Sequence, residues 1–382
     1  MHVDMKKIKI CHVIGSFANG GVEAVLLRYF SHMDLEKYDL WIIGHGIEAQ
    51  KCYDKFEQLG FHIINVTPKR KSLIKNFMEL YRIFKQEHFD IVHSHITEWA
   101  CIPLSAAKMA GIDVRINHSH MAEFHKGIIK KVYYGVRLWW GRYVSTHYFA
   151  CGEDAGKYLF GEKNLKKGKV NIIRNAFELG KFAYDEKNRE NIRTELEIDD
   201  DTICIGNVGR FEEQKNHTFI IDIFDAYQRK YEKSCLILVG QGRLEVGMKQ
   251  KVDQLKLKDK VKFLGIRDDV NKLYQAMDLF LFPSLYEGLA IVAVEAQVSN
   301  LPILTSNMIT PETKIIDNMI FMPLNKDLDD WINCIDDMLK NTSRKSRIDL
   351  IRKNGYDIVD AAEKLDKMYF EIYKNPYAYG KK

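Results

Sequence analysis

Residues 279–297 read LFLFPSLYEGLAIVAVEAQ. The four apolar residues 279–282 form a short run closed by Pro283 and Ser284, the pattern of a buried strand. A loop follows at 285–288, and a helix is predicted to begin near Leu289. In an open parallel sheet a strand-to-helix loop lies at the carboxyl edge, where ligands bind. The N–H groups of Gly288, Leu289 and Ala290 would stand unpaired at the helix start and suit phosphate or sugar oxygens. Gly288 lets a ligand approach the backbone closely. Glu287 and Glu295 flank the turn with seven residues between them. Glu295 borders the apolar stripe Ile291, Val294 and Val298, where a carboxylate is costly unless it accepts hydrogen bonds. The hydroxyls of a ribose would donate them. Either acid alone reads as well as a helix cap or a surface group; the pair in this setting points to a bound ligand instead.

The strand-loop-helix pattern repeats along the chain. Short β-rich runs occupy residues 8–14, 40–44, 62–66, 91–95, 114–118, 148–151 and 170–173 in the first half, and 203–208, 236–239, 261–264, 279–282 and 303–305 in the second. Most are continuous apolar stretches, as in parallel strands covered on both faces. Helical segments between them imply βαβ units, and two such series imply an α/β protein of two doubly wound domains. The break lies in the charged stretch 178–201. The predicted domains are residues 1–180 and 181–360, with a helix in 361–382 packing back on the first.

Composition agrees. A chain of 382 residues, 46% hydrophobic and 29% charged, suits two soluble domains. A net charge of +5 is too small to argue for nucleic acid. The cysteines are odd in number and form no CxxC pair, as expected for reduced, buried thiols. No apolar run has the length of a membrane span, and the N-terminus lacks a signal-peptide core, so the protein is expected in the cytoplasm.

Residues 206–217 read GNVGRFEEQKNH and follow the first strand of the second half. Arg210 and Lys215 converging at a strand end can neutralise a diphosphate and the charge that grows on a leaving group. An arbitrary pair of this kind would be two solvated cations. Residues 240–243 (GQGR) and 263–270 (FLGIRDDV) follow later strands, and Gly20–Gly21–Val22–Glu23 sits between the first strand and a helix. No GxGxxG occurs, which argues against a dinucleotide fingerprint. Two strands end in His-Ser-His, at 93–95 and 118–120. Alternate residues face the same way, so each pair can point together. No neighbouring cysteine or carboxylate spacing supports a metal site.

These segments, in this order, resemble the retaining glycosyltransferases of family 4, over nearly the whole chain and most strongly in 203–305. The resemblance implies the GT-B fold, two Rossmann-like domains facing a cleft, with the acceptor in the first domain and the nucleotide sugar in the second. The Glu-x7-Glu motif places Glu287 and Gly288 on the donor sugar and Glu295 on the ribose. The Gly-Arg…Lys-Asn segment places Arg210 and Lys215 on the donor phosphates, with Gly21, Leu289 and Ala290 contributing to the phosphate site. Ile266 and Arg267 match the segment beside the nucleotide base. The family has a histidine near the reacting carbon at the end of the strand that holds His118 and His120; His120 aligns with it and His118 is the second choice. With Glu287 these are the candidate catalytic residues. No cofactor and no protein-bound metal are expected. Leu289–Ala290 departs from the Phe-Gly or Phe-Pro of many members, so the donor sugar stays open.

The resemblance is especially to transferases of capsule and exopolysaccharide assembly, through Gly20–Glu23, the second His-Ser-His and Ile173–Ala176. It implies a UDP-hexose or UDP-N-acetylhexosamine donor and a lipid-linked saccharide acceptor. Residues 125–149 interleave cations with Tyr133, Tyr134, Trp139, Trp140 and Tyr143, and residues 101–150 hold seven Lys/Arg against two Asp/Glu. This segment reads either as peripheral contact with the inner membrane leaflet or as a helix whose aromatics are core. Two other functions share the fold: a sugar-nucleotide epimerase, which would need a second set of acid/base carboxylates, and a non-catalytic pseudo-transferase within an assembly complex.

Overall fold

The computed structural model describes residues 6–18, 20–121, 128–340 and 344–380, with the backbone alone at 128–131. The chain forms two compact units. One runs to Phe177 and resumes at Gly355; the other is Glu178–Asn354.

The first unit holds a seven-stranded parallel sheet in the order β3-β2-β1-β4-β5-β6-β7. Its strands are β1 (Ile8–Val13), β2 (Tyr38–Gly44), β3 (His62–Asn65), β4 (Ile91–Ser94), β5 (Val114–Ser119), β6 (His147–Ala150) and β7 (Val170–Ile172). Both faces are covered, which is why the strands are apolar at successive positions. Ile8, Ile10 and Ile42 enter the core on one face, and Cys11, Val13 and Ile43 the core on the other.

The second unit holds six parallel strands, β8 (Ile203–Val208), β9 (Ser234–Val239), β10 (Val261–Gly265), β11 (Leu279–Phe282), β12 (Ile303–Ser306) and β13 (Met319–Met322). Their order is β10-β9-β8-β11-β12-β13. Leu279 and Leu281 pack on one face, Phe280 and Phe282 on the other. β13 was not expected from the sequence: it is a short edge strand, half-exposed after its first residue and followed by Pro323.

The chain leaves the first unit after Phe177 and returns by the helix Ile358–Lys374. Asp357 caps that helix by accepting from the N–H groups of Val359 and Asp360. Ile358, Ala362, Leu365, Met368, Tyr369 and Ile372 join the first core. The charged stretch after Phe177 holds two helices of the second unit, Leu179–Phe182 and Glu186–Glu195. Its Arg193 is buried and donates to the carbonyls of Ala276 and Thr202 at 3.0 and 2.6 Å.

All seven cysteines are free and six are buried. Among the described residues no helix is long and apolar enough to cross a membrane.

Candidate functional site

In the second sheet the strand order reverses direction between β8 and β11, the switch point where an open α/β sheet binds ligands. The loops that leave these two strands are stitched together. Leu285 N–H donates to the Gln214 carbonyl at 2.8 Å. Gln214 Nε2 donates to the Tyr286 carbonyl at 3.0 Å and Asn216 Nδ2 to that of Pro283 at 3.1 Å. Lys215 Nζ reaches Glu287 Oε1 at 2.6 Å and lies 4.8 Å from the centre of the Phe282 ring.

Two glycines explain the loop sequences. A Cβ on Gly240 would stand 2.1 Å from the Gly209 carbonyl, and one on Gly242 would stand 2.5 Å from that of Phe211. Gly240 also has φ +135°, which side chains rarely adopt. These glycines let two loop backbones touch, with Phe211 N–H donating to the Gln241 carbonyl at 3.1 Å.

Arg210 is exposed at this edge, whereas Lys215 is mostly covered. The helix expected from Leu289 starts two residues later, at Ile291, because the N–H groups of Ala293 and Val294 close on the Ala290 carbonyl. Gly288, Leu289 and Ala290 therefore form the loop that enters the helix. Glu295 lies on the helix, 7% exposed, and accepts from the Tyr274 hydroxyl at 3.2 Å. Tyr274 is a partner the sequence did not reveal; burial and then Glu295 push its hydroxyl pKa up. Arg267 is held by Asp269 at 2.7 and 2.8 Å and by Glu195 at 2.7 Å, while Ile266 is exposed.

The first unit carries two features. At the helix Gly21–Phe30, Glu23 turns back on the helix start and accepts from its own N–H and that of Gly20. Burial raises its pKa. A Cβ on Gly20 would meet Glu23 Oε2 at 2.5 Å, but one on Gly21 would meet nothing within 4 Å. A side chain at Gly21 would thus point into open space beside a helix start whose first N–H groups the Glu23 carboxylate already takes.

The second feature is a group of histidines at the first sheet's own switch point, between β1 and β4. His12 pairs with His93 in register. His93 stacks on His95 at 4.2 Å and lies near His118 at 5.2 Å; His118 lies 4.0 Å from His120. His12 Nδ1 is 3.0 Å from His95 Nε2, and His95 Nδ1 is 2.9 Å from His120 Nε2. A second chain links the Tyr369 hydroxyl to His93 at 2.7 Å and His93 to His118 at 3.2 Å. Burial holds His12 down to about 3 and His120 to about 4, and keeps His93, His95 and His118 well below the usual imidazole range. Neutral imidazoles are competent metal ligands, and the ring nitrogens of two trios, His12–His93–His95 and His95–His118–His120, lie within 4.8 Å of one another. The closest approaches are imidazole-to-imidazole hydrogen bonds. Sequence pairing by His-Ser-His missed His12 and Tyr369, which arrive from another strand and from the returning helix.

The basic aromatic segment forms the helix Ile128–Val144. Residues 122–127 of that region, Lys126 included, and the side chains of Lys130 and Lys131 lie outside the described residues. Further along, the core alternative fails: Trp139 is 60% exposed, Trp140 44% and Tyr143 58%. Arg137 sits 3.4 Å over the Trp99 ring and Lys108 4.3 Å over Tyr143. Ile74 and Met78 of the helix Leu73–Glu87 are also exposed, beside an apolar groove of about 310 Å³.

Two doubly wound parallel sheets, with acids and cations at the second switch point, define a GT-B sugar transferase. The solved structure of HepE from Anabaena in complex with UDP shares the fold, with a TM-score of 0.77 and 16% identity over 95% of this chain and 100% of that one. Residues 188–356 match the model of glycosyl transferases group 1, and residues 19–181 that of glycosyltransferase family 4. The chain is 30% identical to the putative glycosyltransferase EpsF of Bacillus subtilis (strain 168) over 79% of its own length and 80% of that protein's. It is 26% identical to an Escherichia coli UDP-Gal:alpha-D-GlcNAc-diphosphoundecaprenol alpha-1,3-galactosyltransferase, over 97% of its length and 98% of that protein's. The chain belongs to the family 4 glycosyltransferases.

Proposed function

We propose that this glycosyltransferase moves a hexose or N-acetylhexosamine from a UDP-sugar, with retention at the anomeric carbon, onto a lipid-linked saccharide in polysaccharide assembly. The observation that carries the reading is the Lys215–Glu287 pair that joins the loops after β8 and β11 at the switch point, with Arg210 exposed at that edge and Glu295 on the helix that follows. A UDP complex of a protein with the same fold and a full-length relative named for a UDP-sugar donor and a diphosphoundecaprenol-linked acceptor support it.

On this reading Arg210 and Lys215 hold the diphosphate. Glu295 accepts from the ribose hydroxyls and Glu287 from those of the transferred sugar. The acceptor hydroxyl attacks the anomeric carbon from the face the leaving UDP departs. The bond from that carbon to the β-phosphate oxygen breaks as the new glycosidic bond forms. The departing phosphate takes the acceptor's proton, so no enzymic base is required. The residues act by positioning and by stabilising the charge that grows on UDP. His120 touches the transferred sugar, and no protein-bound metal takes part. The exposed aromatics and cations of the helix Ile128–Val144 rest on the anionic leaflet that carries the acceptor.

The test is incubation with individual UDP-sugars and a bacterial membrane lipid extract, reading the product by mass spectrometry and its anomeric coupling by NMR. An α-linked sugar on a lipid diphosphate supports the reading. A β-linkage overturns retention. Conversion of a UDP-sugar to its epimer without acceptor replaces transfer by epimerisation.

A further inference from the structure

His12, His95 and His120 form one hydrogen-bonded line through the first unit, with links of 3.0 and 2.9 Å. A neutral imidazole has one N–H and one acceptor nitrogen, so the tautomer of each ring dictates that of the next. Only two arrangements satisfy both links. In one, all three protons sit on Nδ1; in the other, all three sit on Nε2.

The far end of the line separates them. His12 is fully buried, and its Nε2 has no hydrogen-bond partner among the described residues. The rings of Phe30 and Phe61 lie 5.0 and 6.2 Å from the His12 ring, centre to centre, and are steeply inclined to it. The Nε2 arrangement would bury an N–H there with at most an aromatic face to receive it, a weak acceptor. The Nδ1 arrangement leaves only a bare lone pair. Buried unpaired N–H groups are rarer in proteins than under-used acceptors, an asymmetry established for the backbone. Depressed basicity by burial keeps all three rings neutral near pH 7. At the near end, His120 is partly exposed and its Nδ1 has no partner among the described residues.

We propose that His12 and His95 are positioning residues that lock His120 in its Nδ1–H tautomer, so that the nitrogen His120 leaves for a ligand is a hydrogen-bond donor. The ligand atom it fits is an oxygen with a free lone pair, such as a sugar hydroxyl or ring oxygen. His120 is then unable to act as a base through that nitrogen. The role of the donor rests on His120 facing the transferred sugar; the tautomer itself does not.

The test is a long-range ¹H–¹⁵N correlation spectrum of the full-length protein at pH 7 with labelled histidine and no substrate, His120 being assigned by its loss in His120→Gln. The expected result is a pyrrole-type Nδ1 and a pyridine-type Nε2 for His120. His95→Phe should release His120 into a tautomer mixture, and His95→Asn, whose amide N–H falls near the lost Nδ1–H, should restore the lock. With UDP-sugar, His95→Phe should lower kcat about fivefold, the worth of one net hydrogen bond, and leave UDP affinity unchanged. A proton on Nε2 of His120 in the wild type overturns the proposal, whatever the variants do. An unchanged His120 signal in His95→Phe overturns it too, as does one equivalent of zinc in the purified protein, which would claim the same nitrogens. A correct tautomer with full turnover in His120→Gln would retain the lock and refute the sugar contact.

Discussion

Lys215 and Glu287, 72 residues apart in the chain, meet at 2.6 Å with only 14% and 9% of their side chains exposed. The cation assigned to phosphate and the acid assigned to the sugar are thus one mostly covered pair, joining the loop after β8 to the loop after β11. An exposed loop residue such as Arg210 should be removable at little cost to the fold. Lys215 should not be. Lys215→Met leaves the mostly covered carboxylate of Glu287 without its cation, which should cost about 1–3 kcal/mol, as for other polar groups left without a partner. Lys215→Met with Glu287→Leu should regain most of that loss in urea unfolding while turnover stays absent. A single variant as stable as wild type would show the pair to be structurally idle.

Arg210 makes the contrasting case. Arg210→Ala should shift stability by no more than about 0.5 kcal/mol, as for other surface changes. Its turnover should fall about 100-fold, as on loss of a charge partner in the transition state. Near-normal kcat would remove it from the phosphate site.

The two glutamates should separate in calorimetry with UDP alone. Glu295→Ala weakens UDP binding, and Glu287→Ala spares it while impairing transfer. Tyr274→Phe, which deletes the hydroxyl that holds Glu295 at 3.2 Å, should weaken UDP about fivefold. Equal losses at both acids would contradict the division of ribose and sugar between them.

Gly21→Ala and Gly20→Ala place the same methyl on adjacent residues with opposite expectations. At Gly21 the methyl meets nothing within 4 Å, so the melting temperature should hold while activity drops if phosphates occupy that space. At Gly20 it meets the Glu23 carboxylate at 2.5 Å, so Glu23 must swing away from the helix start and the melting temperature should fall slightly through the lost cap. Full activity in Gly21→Ala would mean that nothing binds over this helix start.

Stability should fall on acidification. Burial lowers His120 from 6.5 to about 4 and His12 to about 3, so the unfolded chain binds more protons than the folded one below 6.5. Their contribution is complete above pH 6.5, declines as pH falls, and is gone once the folded values are passed. Urea midpoints should drop between pH 7 and 5, with a shallower slope in His120→Gln. An identical slope would place the linkage elsewhere.

Val136→Ser with Trp139→Ser should cut binding to vesicles containing anionic lipid more than tenfold, because both side chains are about 60% exposed and bind through apolar area. The fold should be unchanged. Binding by wild type should weaken as salt rises, since the cationic share is screened beyond about 8–10 Å. Undiminished vesicle binding would reassign these aromatics to a protein partner.

Much of this protein was legible locally. Strands covered on both faces are apolar at successive positions, so the central strands of both sheets announced themselves; of the thirteen described strands only β13 was not expected. The switch-point motif was legible because Glu287, Gly288 and Glu295 lie within one loop and one helix. Local pattern was thus enough for two doubly wound units and for the residues at the carboxyl edge of β11. Only the tertiary structure decided which of them touch. Strand order brings β1 beside β4, and with it His12 against His95; the return of Ile358–Lys374 brings Tyr369 to His93; and β8 beside β11 turns Lys215 and Glu287 into a pair. The pattern along a chain reports how each residue faces water, whereas these contacts depend on which distant segments share an edge, and that is set by how whole layers pack.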